Sequence, residues 1–204
     1  MAVVECWFDF SSPFGYLGTT QIERVAAEHD GEVVWRPFLL GALFKTIGTP
    51  VVPMAAFADS KRELYRLDLV RWSAYWGVEL NWSSHFPINT VTALRLALVG
   101  LEEGNEVGTK LIHRINRAAW VDDENVQDPA VLGRCLADVG LDPALLEKTQ
   151  DPAVKARLKE ATDEAIARGV PGAPTFVVGD RLYWGQDRLD FVARALAGDP
   201  VGPA

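Results

Sequence analysis

The sequence contains 204 residues, of which 49% are hydrophobic and 24% are charged, a composition typical of a folded globular protein. Its formal net charge of −8 argues against nucleic acids and anionic membrane surfaces as partners, because both require a basic face. No apolar run approaches the roughly 20 residues that cross a bilayer, and the first residues show no signal-type segment, so we expect a cytoplasmic protein.

Cysteine and histidine are both scarce in this chain. Cys6 and Cys135 are too few for a disulfide framework or a Cys-rich zinc site, and His29, His85 and His113 share no spacing typical of metal ligands. We therefore expect no metal site, an inert buried thiol at Cys6, and Cys135 on an apolar helix face.

The first part of the chain follows a β-α-β pattern. Residues 3–8 are mostly apolar, β-branched or aromatic, which predicts a buried strand. A helical pattern follows Pro13 and stops at Asp30-Gly31, and residues 32–38 predict a second strand. Such a unit places two parallel strands in one sheet, joined by a right-handed crossover.

Residues 39–168 show helix signals and almost no strand signals. Asp-Pro pairs at 128–129, 142–143 and 151–152 each suit a helix start, because aspartate accepts N-cap hydrogen bonds and proline fits the first helical position. Residues 61–76 and 89–101 also carry helical apolar periodicity. The pattern predicts an all-helical insertion.

The α/β pattern returns near residue 169. Residues 169–174 predict a loop, 175–178 and 181–184 a hairpin around Gly179-Asp180, and residues from 185 to about 197 a final helix. This order predicts an α/β protein with a thioredoxin-like fold. Its thioredoxin-like domain would comprise residues 1–38 and 169–204, and its helical insertion residues 39–168.

In thioredoxin-like redox proteins, a Cys-x-x-Cys motif lies between the first strand and the first helix. The four residues at that place are Ser12-Pro13-Phe14-Gly15, which carry no sulfur. Serine cannot form a mixed disulfide and Gly15 offers no resolving thiol, so dithiol oxidoreductase chemistry is excluded at this site.

The remaining chemical feature is a hydroxyl at a helix N-terminus. The free N–H groups and the dipole of a helix favour an anion there, and a thiolate supplied by a cofactor suits that position, with the Ser12 hydroxyl as a donor to the sulfur. Taken alone, Ser12 is more simply explained as an ordinary helix cap.

Two further segments favour a thiol ligand. Ala173-Pro174 precedes a strand where thioredoxin-like proteins keep a cis-proline loop, which leaves the N–H and C=O of Ala173 free to pair with a peptide such as glutathione. An ordinary trans proline is the alternative. Asp187 is equally explained as a helix-start residue or, with Gln186, as a partner of a γ-glutamyl group.

Six segments together carry a resemblance to a known family. They are Phe8-Asp-Phe-Ser-Ser-Pro-Phe-Gly-Tyr-Leu17, Arg36-Pro-Phe-Leu-Leu-Gly-Ala-Leu-Phe-Lys45, Asp68-Leu-Val-Arg-Trp72, Phe86-Pro-Ile-Asn-Thr90, Gly169-Val-Pro-Gly-Ala-Pro-Thr-Phe-Val-Val178 and Trp184-Gly-Gln-Asp-Arg-Leu189. The chain resembles the branch of the DsbA-like family that contains 2-hydroxychromene-2-carboxylate isomerases and kappa-class glutathione transferases.

The resemblance implies a homodimer that uses glutathione to isomerise an aromatic carboxylate by reversible thiolate addition, ring opening, bond rotation and elimination. It implies that Ser12 activates the thiol, that Ala173 binds the cofactor backbone beside cis-Pro174, and that Gln186 and Asp187 hold the γ-glutamyl end. The full set assigned to the cofactor is Ser12, Pro13, Phe14, Thr49, Ala173, Pro174, Gln186 and Asp187.

Two positions depart from the family pattern. The family commonly has asparagine in a Gly-Asn-x-Pro stretch, where this chain has Gly48-Thr49-Pro50. Ala173 is smaller than the valine or leucine of related proteins, which widens the pocket. Because of both changes, the cofactor could be a low-molecular-weight thiol other than glutathione.

Several of the remaining polar and aromatic side chains are candidates to bind a flat aromatic substrate. Trp184 is the first candidate for a contact with the substrate. Lys61 and Asn89 are candidates to face the cleft, Lys61 as a partner for a carboxylate. A solvated helix face is the simpler explanation for Lys61. Core packing is the expected role of the aromatic residues Trp72, Tyr75, Trp76 and Trp82, with a substrate site as the alternative.

Two other functions remain open beside the isomerase. One is a kappa-like transferase or peroxidase, and the other is a non-catalytic protein that binds thiols.

Overall fold

The structure is a computed structural model that describes residues 2–202. Its four-stranded sheet consists of β1 (Ala2–Phe8), β2 (Gly31–Pro37), β3 (Thr175–Val178) and β4 (Arg181–Trp184), in the order β2-β1-β3-β4. β2 runs parallel to β1, whereas β3 is antiparallel to both β1 and β4. The predicted βαβ and hairpin units are therefore joined through β1 into one mixed sheet.

The carboxyl-terminal half of the central strand β1 is buried on both faces of the sheet. Val4, Cys6 and Phe8 belong to one apolar cluster, whereas Trp7 belongs to a second cluster with Phe38. Successive side chains of a strand point to opposite faces, so this split follows directly from the sequence of β1. Helices therefore cover both sides of the sheet.

Two helices flank the sheet from the thioredoxin-like part of the chain. α1 (Pro13–Ala27) connects β1 to β2, and the last helix, α8 (Leu189–Leu196), packs on α1, β1 and β3. The predicted continuous helix from residue 185 is wrong in its first turn, since Gln186–Arg188 form a 3₁₀ helix. Gly185, with a φ of 109°, turns the chain sharply there, and a tight turn precedes α8.

Every regular element described between Pro37 and Thr175 is helical. The α-helices are α2 (Leu40–Ile47), α3 (Asp59–Trp76), α4 (Val91–Glu103), α5 (Asn105–Trp120), α6 (Pro129–Asp138) and α7 (Pro152–Ala167), with 3₁₀ helices at Pro53–Ala56 and Pro143–Gln150. The α/β fold class with a helical block inside a thioredoxin-like frame is thus confirmed.

The three Asp-Pro pairs all start helices, as predicted. The Asp128 and Asp142 side chains accept hydrogen bonds from the second residues after them, at 2.8 and 2.9 Å. Asp151 precedes α7 without such a side-chain bond. The prediction from these pairs is therefore confirmed for the helix starts and wrong for the cap of α7.

Within residues 2–202, no helix is long and apolar enough to cross a bilayer, and no group of three metal-ligating side chains is present. Cys6 and Cys135 are free and buried. Burial raises the pKa of the Cys6 thiol far above its usual range and that of Cys135 to about 11. Both cysteines are therefore unreactive neutral thiols, as predicted for Cys6.

Candidate active site

A cleft of about 590 Å³ opens where the thioredoxin-like part meets the helical block. Its wall is formed by the β1–α1 loop and the start of α1, by α2 and the segment after it, by α3 between Lys61 and Trp72, and by the α3–α4 loop. The loop before β3, the end of β4 and the segment after it complete the wall. Ten predicted site residues line it: Ser12, Pro13, Phe14, Thr49, Lys61, Ala173, Pro174, Trp184, Gln186 and Asp187. Segments far apart in sequence thus converge on one space.

Asn89 does not line this cleft. Its side-chain oxygen accepts a hydrogen bond of 3.2 Å from the amide of Val91 at the start of α4. The expectation that Asn89 faces the cleft is therefore wrong, because the local bond at a helix start holds the side chain elsewhere.

Ser12 lies at the N-cap of α1 and is 7% exposed. Its Oγ accepts a hydrogen bond of 2.9 Å from the amide of Gly15 and donates one of 2.8 Å to the carbonyl oxygen of Ala173. A Cβ on Gly15 would lie 3.0 Å from the Cβ of Ser12, so glycine leaves the room that this close cap requires. The hydroxyl is both a helix cap and a tertiary contact.

The Ala173–Pro174 peptide bond is cis, as predicted, and it lies beside Ser12. The expectation that both backbone groups of Ala173 are free is wrong for the carbonyl, which the Ser12 hydroxyl occupies. A hydroxyl carries one proton and can rotate, so an incoming N–H donor can take this carbonyl while the proton of Ser12 turns to another acceptor.

The side chain of Gln186 is a buried polar group that lines the cleft. Gln186 is 6% exposed, and its amide makes no hydrogen bond to any residue that the structure describes. The amide atoms still reach the space of the cleft, so they can bind a polar group of a ligand there. This property of Gln186 is not visible in the sequence.

Charges in the cleft are mostly paired. Asp187 accepts a hydrogen bond of 2.6 Å from Arg188, and Asp68 pairs with Arg71 at 3.1 Å. Lys61, in contrast, forms no ion pair with a described residue, and its Nζ lies 4.1 Å from the centre of the Phe57 ring. The cleft therefore offers one unpaired cation to an anionic ligand.

Eight aromatic side chains contribute to the apolar wall of the cleft. Phe14 and Tyr65 pack edge-to-face with ring centres 4.7 Å apart, and Trp82 and Phe86 are 4.9 Å apart. The aromatic residues that line the cleft are Phe14, Phe44, Phe57, Tyr65, Trp72, Trp82, Phe86 and Trp184. Such a wall suits a flat, conjugated ligand.

The expected core role of the helical-block tryptophans is met only in part. Trp72 and Trp76 are partly buried against the core, with ring centres 4.7 Å apart, whereas Tyr75 is 77% exposed and Trp82 is 46% exposed. α3 buries only Leu69 fully, so its aromatic residues lie mostly at the surface and at the cleft.

Asp9 is a buried residue that accepts hydrogen bonds from two residues lining the cleft, Ser11 and Leu40, and it was not predicted from the sequence. It is 2% exposed and lies three residues before Ser12. Burial raises the pKa of its carboxyl group, although hydrogen bonds from Thr90, Ser11 and Leu40 oppose this shift. The only signal in the sequence is an acidic residue at the end of an apolar strand.

Comparisons with known proteins identify the family of this chain. A DSBA-like thioredoxin domain matches residues 3–197. A 2-hydroxychromene-2-carboxylate isomerase from Sphingobium xenophagum is 32% identical over 95% of this chain and 97% of its own, and glutathione S-transferase kappa 2 from Caenorhabditis elegans is 27% identical over 98% and 94%.

A solved structure of a 2-hydroxychromene-2-carboxylate isomerase superposes with a TM-score of 0.76 at 23% identity and covers 96% of this chain and 95% of its own. At that identity the superposition shows the fold alone. The matched domain and the 32% identical relative span nearly the whole sequence, and the chain belongs to the DsbA-like thioredoxin family, in the branch that contains these isomerases and the kappa-class transferases.

Proposed function

We propose that this protein is a glutathione-dependent cis–trans isomerase of the 2-hydroxychromene-2-carboxylate type, acting on intermediates of aromatic degradation. The observation that carries the proposal is the Ser12 hydroxyl, which caps α1 inside an aromatic cleft at the position of a redox cysteine. A site without sulfur of its own suits a thiol that is supplied by a cofactor.

The residues of the cleft fit glutathione. The N-terminus of α1 favours the thiolate, and the partnerless amide of Gln186 suits the γ-glutamyl end, beside the Asp187 carboxylate for the α-ammonium group. An amide N–H of the cofactor can replace the Ser12 hydroxyl at the carbonyl of Ala173. The kappa-class relative, named as a glutathione transferase, supports the same cofactor.

The Ser12 hydroxyl acts by donating a hydrogen bond to the thiolate sulfur of the bound cofactor. Its Oγ keeps the hydrogen bond from Gly15 while its proton turns from the Ala173 carbonyl toward the thiolate. Together with the helix dipole, this donor lowers the pKa of the bound thiol.

The chemistry is an addition followed by an elimination. Ring opening breaks the hemiketal C–O bond of the substrate, sends the hydroxyl proton to the phenol oxygen and leaves a carbonyl conjugated with a double bond. Bound glutathione would supply the thiolate for reversible addition to that double bond, whose electron pair moves onto the carbonyl and returns when the thiolate leaves. Rotation about the single bond in between converts cis to trans, with no net oxidation or reduction. The cleft contributes by aligning the reacting atoms.

Substrate recognition is assigned to the aromatic wall and to Lys61. The rings bind a flat conjugated system, with Trp184, which is 57% exposed, at the mouth of the cleft. The unpaired ammonium group of Lys61 suits the substrate carboxylate. The combination of a flat apolar wall and one cation matches an aromatic carboxylate.

The test is isomerisation of 2-hydroxychromene-2-carboxylate by purified protein, followed by the absorbance of the trans product with and without glutathione. We expect turnover that requires the thiol. Absence of turnover with glutathione and with other low-molecular-weight thiols contradicts the proposal.

The kappa-class relative favours a transferase as the second candidate. Rapid conjugation of glutathione to an aryl halide, dependent on Ser12 and without isomerisation, would establish it. Glutathione binding in calorimetry without either activity would instead identify a thiol-binding protein.

The expected homodimer and cytoplasmic location are also proposals. Apolar side chains exposed on α3, among them Leu64 and Val70, support a further contact surface. Sedimentation equilibrium measures the mass in solution, and a monomer at micromolar concentration contradicts the dimer.

A further inference from the structure

The buried Asp9 carboxylate accepts three hydrogen bonds from side-chain and backbone donors. Its Oδ1 accepts bonds from the amide of Ser11 at 2.9 Å and from the hydroxyl of Thr90 at 2.6 Å. Its Oδ2 accepts a bond of 2.8 Å from the amide of Leu40. All three partners are donors, so the group acts only as an acceptor.

Each donor belongs to a segment that shapes the cleft. Ser11 and Leu40 line it directly, from the β1–α1 loop and from α2. Thr90 starts α4 and follows the segment that supplies Trp82 and Phe86 to the aromatic wall. One carboxylate therefore connects the loop that carries Ser12 to two walls of the helical block.

The residues directly before α2 and α4 do not cap these helices, although Asn89 accepts a hydrogen bond from the first amide of α4. Leu39 precedes α2 and Thr90 precedes α4, and neither gives its helix a side-chain cap bond. The hydroxyl of Thr90 is directed to Asp9 instead. The carboxylate thus stands at the amino ends of two helices, where a negative charge is favourable.

We propose that Asp9 is a positioning residue that sets the distance between the thiol held at Ser12 and the substrate held by the helical block. This inference rests on the proposed function, and it assigns a role to a residue that does not touch the reacting atoms. Errors of about 1 Å in such a distance reduce rates by roughly 100-fold.

The arrangement predicts the effect of an isosteric change. In Asp9→Asn, one oxygen becomes an NH₂ group, which faces either the Ser11 amide or the Leu40 amide, both of them donors. One bond is then lost whichever way the amide turns. Thr90→Val removes a single bond and leaves the carboxylate in place.

The experiment compares kcat, KM for glutathione and KM for the substrate in Asp9→Asn, Thr90→Val and wild type, at a temperature where circular dichroism shows each to be folded. We expect kcat to fall by about 100-fold in Asp9→Asn and by about 10-fold in Thr90→Val, with smaller changes in either KM. Thr90→Ser keeps the hydroxyl and should restore kcat.

The matched control is Thr149→Val. Thr149 is 1% exposed and donates a hydrogen bond of 2.7 Å to the carbonyl of Leu146, outside the cleft. The Thr149→Val variant should be less stable than wild type, with an unchanged kcat.

The outcomes separate the two proposals. Wild-type kcat in folded Asp9→Asn and Thr90→Val, or a fall no larger than in Thr149→Val, overturns the positioning role and leaves the proposed function intact. Wild-type protein that shows no thiol-dependent isomerisation overturns both.

Discussion

The Ser12 hydroxyl donates a hydrogen bond of 2.8 Å to the carbonyl oxygen of Ala173, which lies 161 residues further along the chain. This bond joins the two parts of the thioredoxin-like frame across the whole helical block. The same oxygen accepts the Gly15 amide and caps α1. Removal of the hydroxyl therefore affects helix capping, loop attachment and the proposed thiol site together.

We expect Ser12→Ala to reduce kcat of the thiol-dependent isomerisation by about 100-fold or more, because a preorganised donor to developing negative charge is lost. Affinity for glutathione, measured by calorimetry, should change much less, since the proposed contacts of Gln186 and Ala173 with the peptide part remain. Unfolding should become easier by about 1–3 kcal/mol, because Gly15 and Ala173 lose a partner.

Asp128→Ala provides the control for helix capping. Asp128 caps α6 through a bond of 2.8 Å to Ala130, in a helix that does not line the cleft. This variant should lose about 1 kcal/mol of stability with unchanged kcat. A fall in kcat in both variants would show that activity follows stability rather than the Ser12 hydroxyl.

A second prediction concerns Lys61. Lys61→Met removes the unpaired cation of the cleft, and we expect KM for the carboxylate substrate to rise by about 10- to 100-fold with little change in kcat. Lys45→Met, which removes an exposed lysine outside the cleft, should leave KM unchanged. A rise in KM for glutathione alone would assign Lys61 to the cofactor carboxylate instead.

Much of the fold could be predicted because its signals are local. The strand β1, the helix start at Pro13 and the hairpin at Gly179-Asp180 all depend on neighbouring residues, and the structure places them within a residue or two of the prediction. The exposure of α3 was not predicted, since periodicity shows which residues share a face but not whether that face is covered.

The site divides in the same way. Ser12, a cap followed by proline, was found from its local context. Two of the three partners of Asp9, Leu40 and Thr90, come from distant segments of the chain and required coordinates. Asn89 was misplaced because its polar side chain is satisfied within its own helix start. The cis bond at Phe86–Pro87 also carried no local signal that distinguished it from a trans bond.

The two cysteines give a third prediction. Burial raises the pKa of Cys135 to about 11 and that of Cys6 further, so at pH 8 both thiols remain protonated in the folded protein. Since the thiolate is the reactive form, iodoacetamide should label neither cysteine at an appreciable rate until denaturant is added. Rapid labelling of the native protein, with loss of isomerase activity, would instead place a reactive thiol in the mechanism.

The last prediction contrasts two glycines that lie inside helices. A Cβ on Gly18 in α1 would lie 2.8 Å from Cγ of Pro174 and 3.1 Å from the ring of Phe176, so Gly18→Ala should cost about 1–3 kcal/mol of stability through overpacking. It should also lower kcat, because Pro174 lines the cleft beside Ser12.

Gly133 in α6 has no atom closer than 4.0 Å to such a Cβ, so Gly133→Ala should gain about 0.5–1 kcal/mol from helix propensity alone. Urea unfolding measures the free energy of unfolding of both variants, which should fall in Gly18→Ala and rise in Gly133→Ala. A stabilised Gly18→Ala with wild-type kcat would show that α1 and the Pro174 loop are not closely packed at this position.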